Sequence, residues 1–278
     1  MRIAITGARG QLGGALWAAL SPGHEVIPLG HDTLELSSPS AVEQICATGA
    51  DLVIHSAAYT NVDGCAREPT RAYMVNAIGT KHVALACRRL DVPLVYISTN
   101  EVFSGHASSP YTEYDQPRPI NAYGSSKWAG EQVVRELLGS YYIVRVAWLF
   151  GGERNFVRTV LRLADNPPPD GLRMVDDEVG SPSYSVDVAD AIARLIATEH
   201  FGTYHFVNSG YCSRYEFARA ILRLAGRPEL PVTPIKLADF VRDSTPPAFT
   251  PLANLAGAAI GITFRPWEEA VAAYLATL

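Results

Sequence analysis

The stretch Thr6-Gly7-Ala8-Arg9-Gly10-Gln11-Leu12-Gly13 decides the fold. It follows directly on an apolar run, Arg2–Thr6, and leads into a helical pattern over Gln11–Leu20. Three glycines spaced three apart between a strand and a helix have a physical reading. Gly7 permits the tight turn, Gly10 lets the backbone approach a pyrophosphate, and Gly13 lets helix and strand pack closely. Gln11 and Leu12 stand in the first helical turn, where unpaired N–H groups and the positive end of the helix dipole favour phosphate. The stretch therefore reads as a dinucleotide cradle, against the plainer alternative of a glycine turn with no ligand.

Outward from this turn, short apolar runs alternate with helix-length amphipathic segments. Strands are expected at Arg2–Thr6, His24–Leu29, Asp51–Ser56, Pro93–Ser98 and Tyr141–Ala147, and helices at Gln11–Leu20, Ser40–Ala47, Arg67–Leu90 and Asn121–Leu138. Runs such as Leu52-Val53-Ile54 are continuous rather than alternating, as in strands covered on both faces. Strand–helix alternation predicts right-handed βαβ units, hence an α/β fold with a doubly wound parallel sheet, Rossmann-like. The second half is less regular. Asn166-Pro167-Pro168-Pro169-Asp170-Gly171 is a rigid turn, Ser183–Thr198 a loop leading into a helix, Thr203–Val207 a strand, Ser213–Leu224 a helix and Pro266–Leu275 a closing helix. The expected organisation is a dinucleotide-binding domain over residues 1–150 and a smaller α/β C-terminal substrate lobe over 151–278. A segment near 185–208 is expected to return to the first domain, and the cleft between the lobes is the expected site.

Composition narrows the function classes. The chain has 278 residues, 48% hydrophobic and 18% charged, with a net charge of −5. That is enough chain for a sizeable core and too apolar for disorder. The acidic balance argues against coating nucleic acid or an anionic membrane. Neither a secretory leader nor a membrane span is expected, so the expected setting is cytoplasmic. Cys46, Cys65, Cys87 and Cys212 form no C-x-x-C pair and read as free thiols of a reducing compartment. No His, Cys and carboxylate cluster has ligand spacing, so no metal is expected.

An acid ending the second strand would favour NAD through the ribose 2′-OH. Gly30 stands there, followed by His31 and Asp32. The gap leaves room for a 2′-phosphate that Arg9 or His31 would meet, while Asp32 could swing in. NADPH is the expected cofactor, with NADH use open. The sharpest constellation is Tyr123-Gly124-Ser125-Ser126-Lys127 at a helix start. Spacing of four puts Tyr123 and Lys127 on one face. A neighbouring ammonium would lower the phenol pKa and fit it for proton exchange. Thr99, at the C-terminal edge of the fourth strand, could hold a substrate carbonyl beside Tyr123. Tyr123, Lys127 and Thr99 are the candidate catalytic residues; a tyrosine and lysine on a solvated helix face are the plain alternative.

These motifs resemble the extended short-chain dehydrogenase/reductases. Ser56–Asp63, Ser98–Gly105, Asn121–Gly130, Val146–Gly151 with Trp148, Gly180–Tyr184 and the closing helix at Trp267 are similar to segments of the dTDP-4-dehydrorhamnose reductases. The resemblance covers essentially the whole chain. It implies NAD(P)H-dependent reduction of the 4-keto group of a nucleotide-activated 6-deoxy sugar. It further implies that Gly10–Leu12, Ala58, Tyr59, Thr60, Tyr123 and Lys127 contact cofactor, and that Thr99, Asn100 and Trp148 contact substrate. The expected partner is a nucleotide sugar, and a homodimer stays open. Asn100-Glu101 stands where this family carries Asp-Tyr, Thr245 where an Arg often precedes the Pro, and Ala15 where its Mg²⁺-bridged dimers have Glu. Two alternatives remain: a nucleotide-sugar epimerase or dehydratase that retains NAD, and a non-catalytic subunit like the regulatory one of methionine adenosyltransferase.

Overall fold

The computed structural model describes residues 1–278. Six strands build one sheet: β1 (Arg2–Thr6), β2 (Glu25–Leu29), β3 (Leu52–His55), β4 (Leu94–Thr99), β5 (Tyr141–Val146) and β6 (Gly202–His205). Their order is β6-β5-β4-β3-β1-β2 and every pairing is parallel. The order reverses between β1 and β3, where an open α/β sheet leaves a crevice at its carboxyl edge. The helices α1 (Gln11–Leu20), α2 (Ala41–Cys46), α3 (Gly79–Leu90) and α4 (Ala122–Leu137) connect the first five strands, and α5 (Phe156–Asp165), α6 (Ser185–Leu195), α7 (Arg214–Leu224) and α8 (Trp267–Leu275) follow.

Period-two alternation sorts the strand side chains between two cores. Ile3, Ile5, Ile54, Val95 and Val144 pack with Leu12, Leu16 and Leu20 of α1 and with Val188, Ile192 and Leu195 of α6. Ala4, Val53, Leu94, Tyr96 and Ile143 pack on the other face with Ile45 of α2, Val83 and Cys87 of α3 and Val134 of α4. Leu16 has no solvent exposure, so Leu16→Ala would cost about 2–5 kcal/mol. A third core, of Phe150, Val160, Phe217, Ile221, Trp267, Val271 and Tyr274, lies wholly beyond β5 in sequence. Residues 185–205 nevertheless return to the sheet, because α6 packs on α1 and β6 pairs with β5.

Two expectations change. The long helix over Arg67–Leu90 is interrupted: Val62–Arg67, Pro69–Tyr73, a π-helical turn at Met74–Ile78, and then α3. Pro69 restarts the helix after Glu68, as its ring favours a first-turn position. The irregular region after β5 also holds more structure than expected. Asn155 caps α5 by accepting from the Arg158 N–H at 3.1 Å, and Leu172–Val175 pairs in parallel with Val232–Ile235. That partner is too distant along the chain for local pattern to reveal.

Candidate active site

A cleft of about 720 Å³ lies along the carboxyl edge of the sheet. One end is the glycine turn. Gly7 has φ +69°, and a Cβ on Gly13 would stand 2.2 Å from the Gly7 carbonyl oxygen. No side chain caps α1, whose N-cap is Gly10, so its first amides stay free. Gln11 Nε2 is buried without a partner although Gln11 lines the cleft. A buried orphan donor above bare helix amides suits a dinucleotide pyrophosphate. Gly7, Gly10, Gln11, Leu12 and Gly13 therefore fit the group expected from sequence. At the β2 end, Arg9 Nη2 donates to Asp32 Oδ2 at 2.8 Å. The Asp32 carboxylate folds back on Gly30, whose Cβ would meet Asp32 Oδ1 at 2.7 Å. An acid thus stands two residues after position 30, paired with Arg9 rather than lining the cleft.

Ala58 and Thr60 line the same cleft, but Tyr59 does not join them. Its ring turns outward, with the Arg71 guanidinium 4.8 Å from the ring centroid and Glu68 Oε2 3.4 Å from the hydroxyl. The Tyr59 backbone is held toward the cleft side. Its N–H donates to Asn76 Oδ1 at 2.8 Å, and Asn76 Nδ2 donates to the Tyr59 carbonyl at 3.1 Å and to Ser126 Oγ at 2.9 Å. Ser126 Oγ donates in turn to the Tyr123 carbonyl at 2.8 Å. The π turn carries Asn76, so the interruption aims one amide at both the 58–60 loop and α4. Sequence reasoning missed Asn76, because a lone Asn within a helical pattern carries no local signal.

The three candidate catalytic residues share the middle of the cleft. Thr99 ends β4, accepts from the Glu101 N–H at 3.2 Å and donates to Asn100 Oδ1 at 3.2 Å. Asn121 caps α4 by accepting from the Gly124 N–H at 2.8 Å, which places Tyr123 and Lys127 in its first two turns. Lys127 Nζ lies 4.2 Å from the centroid of the Tyr96 ring. The expected lowering of the phenol is not what the protein alone does. Burial holds the Tyr123 phenol above its usual value, the Glu101 charge adds to this, and a hydrogen bond with Thr99 opposes it. Burial brings the Lys127 ammonium down to about 7, against the pull of Glu131. In both groups desolvation outweighs the neighbouring charges and hydrogen bonds.

Below the site lies a buried charge pair. Arg145 Nε and Nη2 donate to Glu131 Oε1 and Oε2 at 2.9 and 2.8 Å, and Ser98 Oγ donates to Oε1 at 2.6 Å. These donors hold the Glu131 carboxyl below its usual value despite complete burial. A hydroxyl–imidazole chain flanks them. Thr80 Oγ1 donates to the Asn76 carbonyl, so it accepts from His55 Nε2, which leaves His55 Nδ1 to accept from Thr6. Burial and the Lys127 charge bring His55 to about 3, so the ring is neutral.

The far wall is assembled from distant segments. Trp148 takes φ +41°, a left-handed backbone, and its indole fills the space a Cβ on Gly180 would occupy, 2.6 Å from Cε2. The Arg214 guanidinium covers the ring at 3.5 Å from the centroid, and its Nε and Nη2 donate to Glu178 Oε1 at 3.1 and 3.0 Å. Asn100 lines the cleft with its amide already committed, Nδ2 donating to Thr250 Oγ1 at 2.7 Å. Arg214 and Thr250 carried no motif. Only the fold brings them to the site.

Known proteins can be set beside this geometry. A family model described as the RmlD substrate binding domain matches residues 1–278. The chain is 38% identical over 277 residues to the spore coat polysaccharide biosynthesis protein SpsK of Bacillus subtilis, covering 99% of this chain and 96% of that protein. It is 37% identical over 284 residues to the dTDP-4-dehydrorhamnose reductase of Mycobacterium tuberculosis H37Rv, covering 99% and 92%. The crystal structure of dTDP-4-dehydrorhamnose reductase from Bacillus anthracis in complex with NADP superimposes with a TM-score of 0.95 at 38% identity, covering 100% of this chain and 99% of that one. A UDP-glucose 4-epimerase of Thermotoga maritima shares the fold alone, at 20% identity and a TM-score of 0.81. With a matching family model over its whole length and relatives well above 30% identity along nearly all of it, the chain belongs to the RmlD family.

Proposed function

We propose that this protein is an NADPH-dependent oxidoreductase that reduces the 4-keto group of a nucleotide-activated 6-deoxy sugar, with dTDP-4-dehydro-L-rhamnose as the leading substrate. The observation that carries this is the placement of Thr99, Tyr123 and Lys127 in one cleft whose other end is the Gly7–Gly13 phosphate cradle. Gly7, Gly10, Gln11, Leu12, Gly13, Ala58 and Thr60 would hold the dinucleotide, and Lys127 its nicotinamide ribose. When bound, that group supplies the hydride. Residues 1–150 with the returning 185–208 segment serve the dinucleotide, and residues 151–278 close on the sugar.

Thr99 orients the carbonyl oxygen toward Tyr123, which gives its proton to the oxygen as charge develops. A phenol that holds its proton is the right resting state for this task. The acceptor, a developing alkoxide, is the stronger base. Lys127 takes up full charge as the anionic cofactor enters, which then eases loss of the phenolic proton. Trp148 offers an aromatic face to the sugar or its nucleotide.

The fold alone is shared with epimerases, so net consumption of reduced cofactor is the separating measurement. The product of successive 4,6-dehydration and 3,5-epimerisation of the dTDP-hexose is supplied, and NADPH and NADH oxidation are followed in parallel. Stoichiometric oxidation with one reduced sugar formed per cofactor is expected. Absence of oxidation with both cofactors rejects the reading, and copurification with a synthetase would favour a regulatory subunit.

A further inference from the structure

The Glu101 side chain has no part in the mechanism above, yet it is the one carboxylate that lines the cleft. Its backbone is fixed twice. The Glu101 N–H donates to Thr99 Oγ1 at 3.2 Å, and a Cβ on Gly124 would stand 2.0 Å from the Glu101 carbonyl oxygen. The residue is therefore wedged between the threonine that orients the carbonyl and the helix that carries Tyr123. Its carboxyl is held on one side only. Oε2 accepts from Asn121 Nδ2 at 2.7 Å, while Oε1 makes no hydrogen bond within the protein, and the residue lines the cleft. No cation pairs with it. The two guanidiniums whose charge reaches it are committed elsewhere, Arg214 to Glu178 and Arg242 to Asp63, at 3.0 Å each.

A carboxyl with one oxygen anchored and the other free, beside a reacting carbonyl, is built to read a hydroxyl on the neighbouring carbon. In a 4-keto-6-deoxy sugar the carbons flanking C4 are C3, which bears a hydroxyl, and C5, which bears a methyl group. Only C3 presents a hydrogen-bonding group to that wall. We infer that Glu101 is a specificity-determining residue whose free Oε1 hydrogen-bonds the C3 hydroxyl of the keto-sugar, selecting sugars that carry it. The assignment rests on the reductase reading above. Burial raises the Glu101 carboxyl above its usual range.

The test compares kcat/KM for NADPH oxidation on two substrates, the dTDP-4-keto-6-deoxy sugar and its 3-deoxy counterpart. Wild type should favour the hydroxylated sugar by about 10- to 100-fold, the range for a hydrogen bond to a charged or polarised partner. Glu101→Leu should remove most of that preference by slowing the hydroxylated sugar, leaving the 3-deoxy sugar within about threefold of wild type. Glu101→Gln keeps one hydrogen-bonding group and should fall between. An unchanged NADPH dissociation constant shows that each variant is folded. Equal loss on both sugars, or a preference surviving in Glu101→Leu, overturns the assignment. If Glu101→Leu does not bind NADPH, Glu101→Gln decides: a reduced preference supports the assignment and an unchanged one overturns it. A wild type that oxidises NADPH with neither sugar overturns the reductase reading, and this assignment with it.

Discussion

The two ends of the cleft are built in different ways. At the cofactor end the wall is one run of seven residues, Gly7–Gly13, that presents free backbone N–H groups and three glycines where side chains would crowd the turn. At the sugar end the wall is gathered from Asn100, Glu101, Trp148, Gly180 and Arg214, on segments that only the fold brings together, and it works through side-chain charge and stacking. A contiguous backbone device serves a ligand that does not change, such as a pyrophosphate. A wall of dispersed side chains can alter one contact at a time, which suits a site that must tell one sugar from another. Lesions at the first end should abolish cofactor binding. Lesions at the second should spare it and change the sugar.

The largest effect is expected between the two ends. Tyr123→Phe should lower turnover by about 10²–10⁴-fold with NADPH affinity nearly intact, checked by steady-state kinetics and a fluorescence titration. A Phe variant with near-normal turnover would remove Tyr123 from the chemistry. Gly13→Ala tests the cradle. Its methyl group would stand 2.2 Å from the Gly7 oxygen, so NADPH affinity should fall by at least about 100-fold, roughly 2.7 kcal/mol. Glu131→Gln breaks the buried pair with Arg145 and should cost about 3 kcal/mol in denaturant unfolding.

Smaller effects sharpen the comparison. Arg9→Ala should weaken NADPH by about tenfold and leave NADH within twofold, since the guanidinium beside Asp32 is the cation placed to meet a 2′-phosphate. Lys127 titrates near 7 when the cleft holds no anion. Cofactor phosphates should raise it, so between about pH 7 and 8 binding should take up protons. Calorimetry in buffers of differing ionisation enthalpy reads this directly, and binding with no proton uptake would contradict it. Glu101 gives the smallest effect. Its carboxyl is raised in the folded state, so the fold loses stability as pH rises from the usual carboxylate value through the raised one. Thermal melts should show Glu101→Gln more stable than wild type at pH 8, with the gap closing toward pH 4.

The contrast also explains what the sequence reveals. Strands buried on both faces announce themselves as apolar runs, so β1 to β5 fall within a residue or two of their expected limits, and α1 runs over Gln11–Leu20 as expected. The cradle, Tyr123, Lys127 and Thr99 are legible because spacing along the chain sets their geometry. Arg214 and Thr250 are not, because nothing near them in sequence says they face a cleft. The π turn at Met74–Ile78 hides within a helical periodicity, and its purpose is visible only from the Tyr59 backbone that Asn76 binds. Tyr59 itself lies beside true lining residues in sequence, but its side chain points the other way.

The bond from Asn100 Nδ2 to Thr250 Oγ1 has a consequence for how the protein is made. The segment bearing Thr250 also places the Arg242 guanidinium and the Ser244 N–H on Asp63, and the Thr245 carbonyl against Asn121. On the ribosome, the cradle and the first five strands emerge long before these residues. The residue after the catalytic threonine, and the cap of the tyrosine helix, therefore gain these partners only when residues 242–250, some nine tenths of the way along the chain, arrive. The site reaches its final form only once synthesis is nearly over, so a polypeptide cut short before residue 250 would keep the phosphate cradle and lack the tie that settles the chemistry beside it.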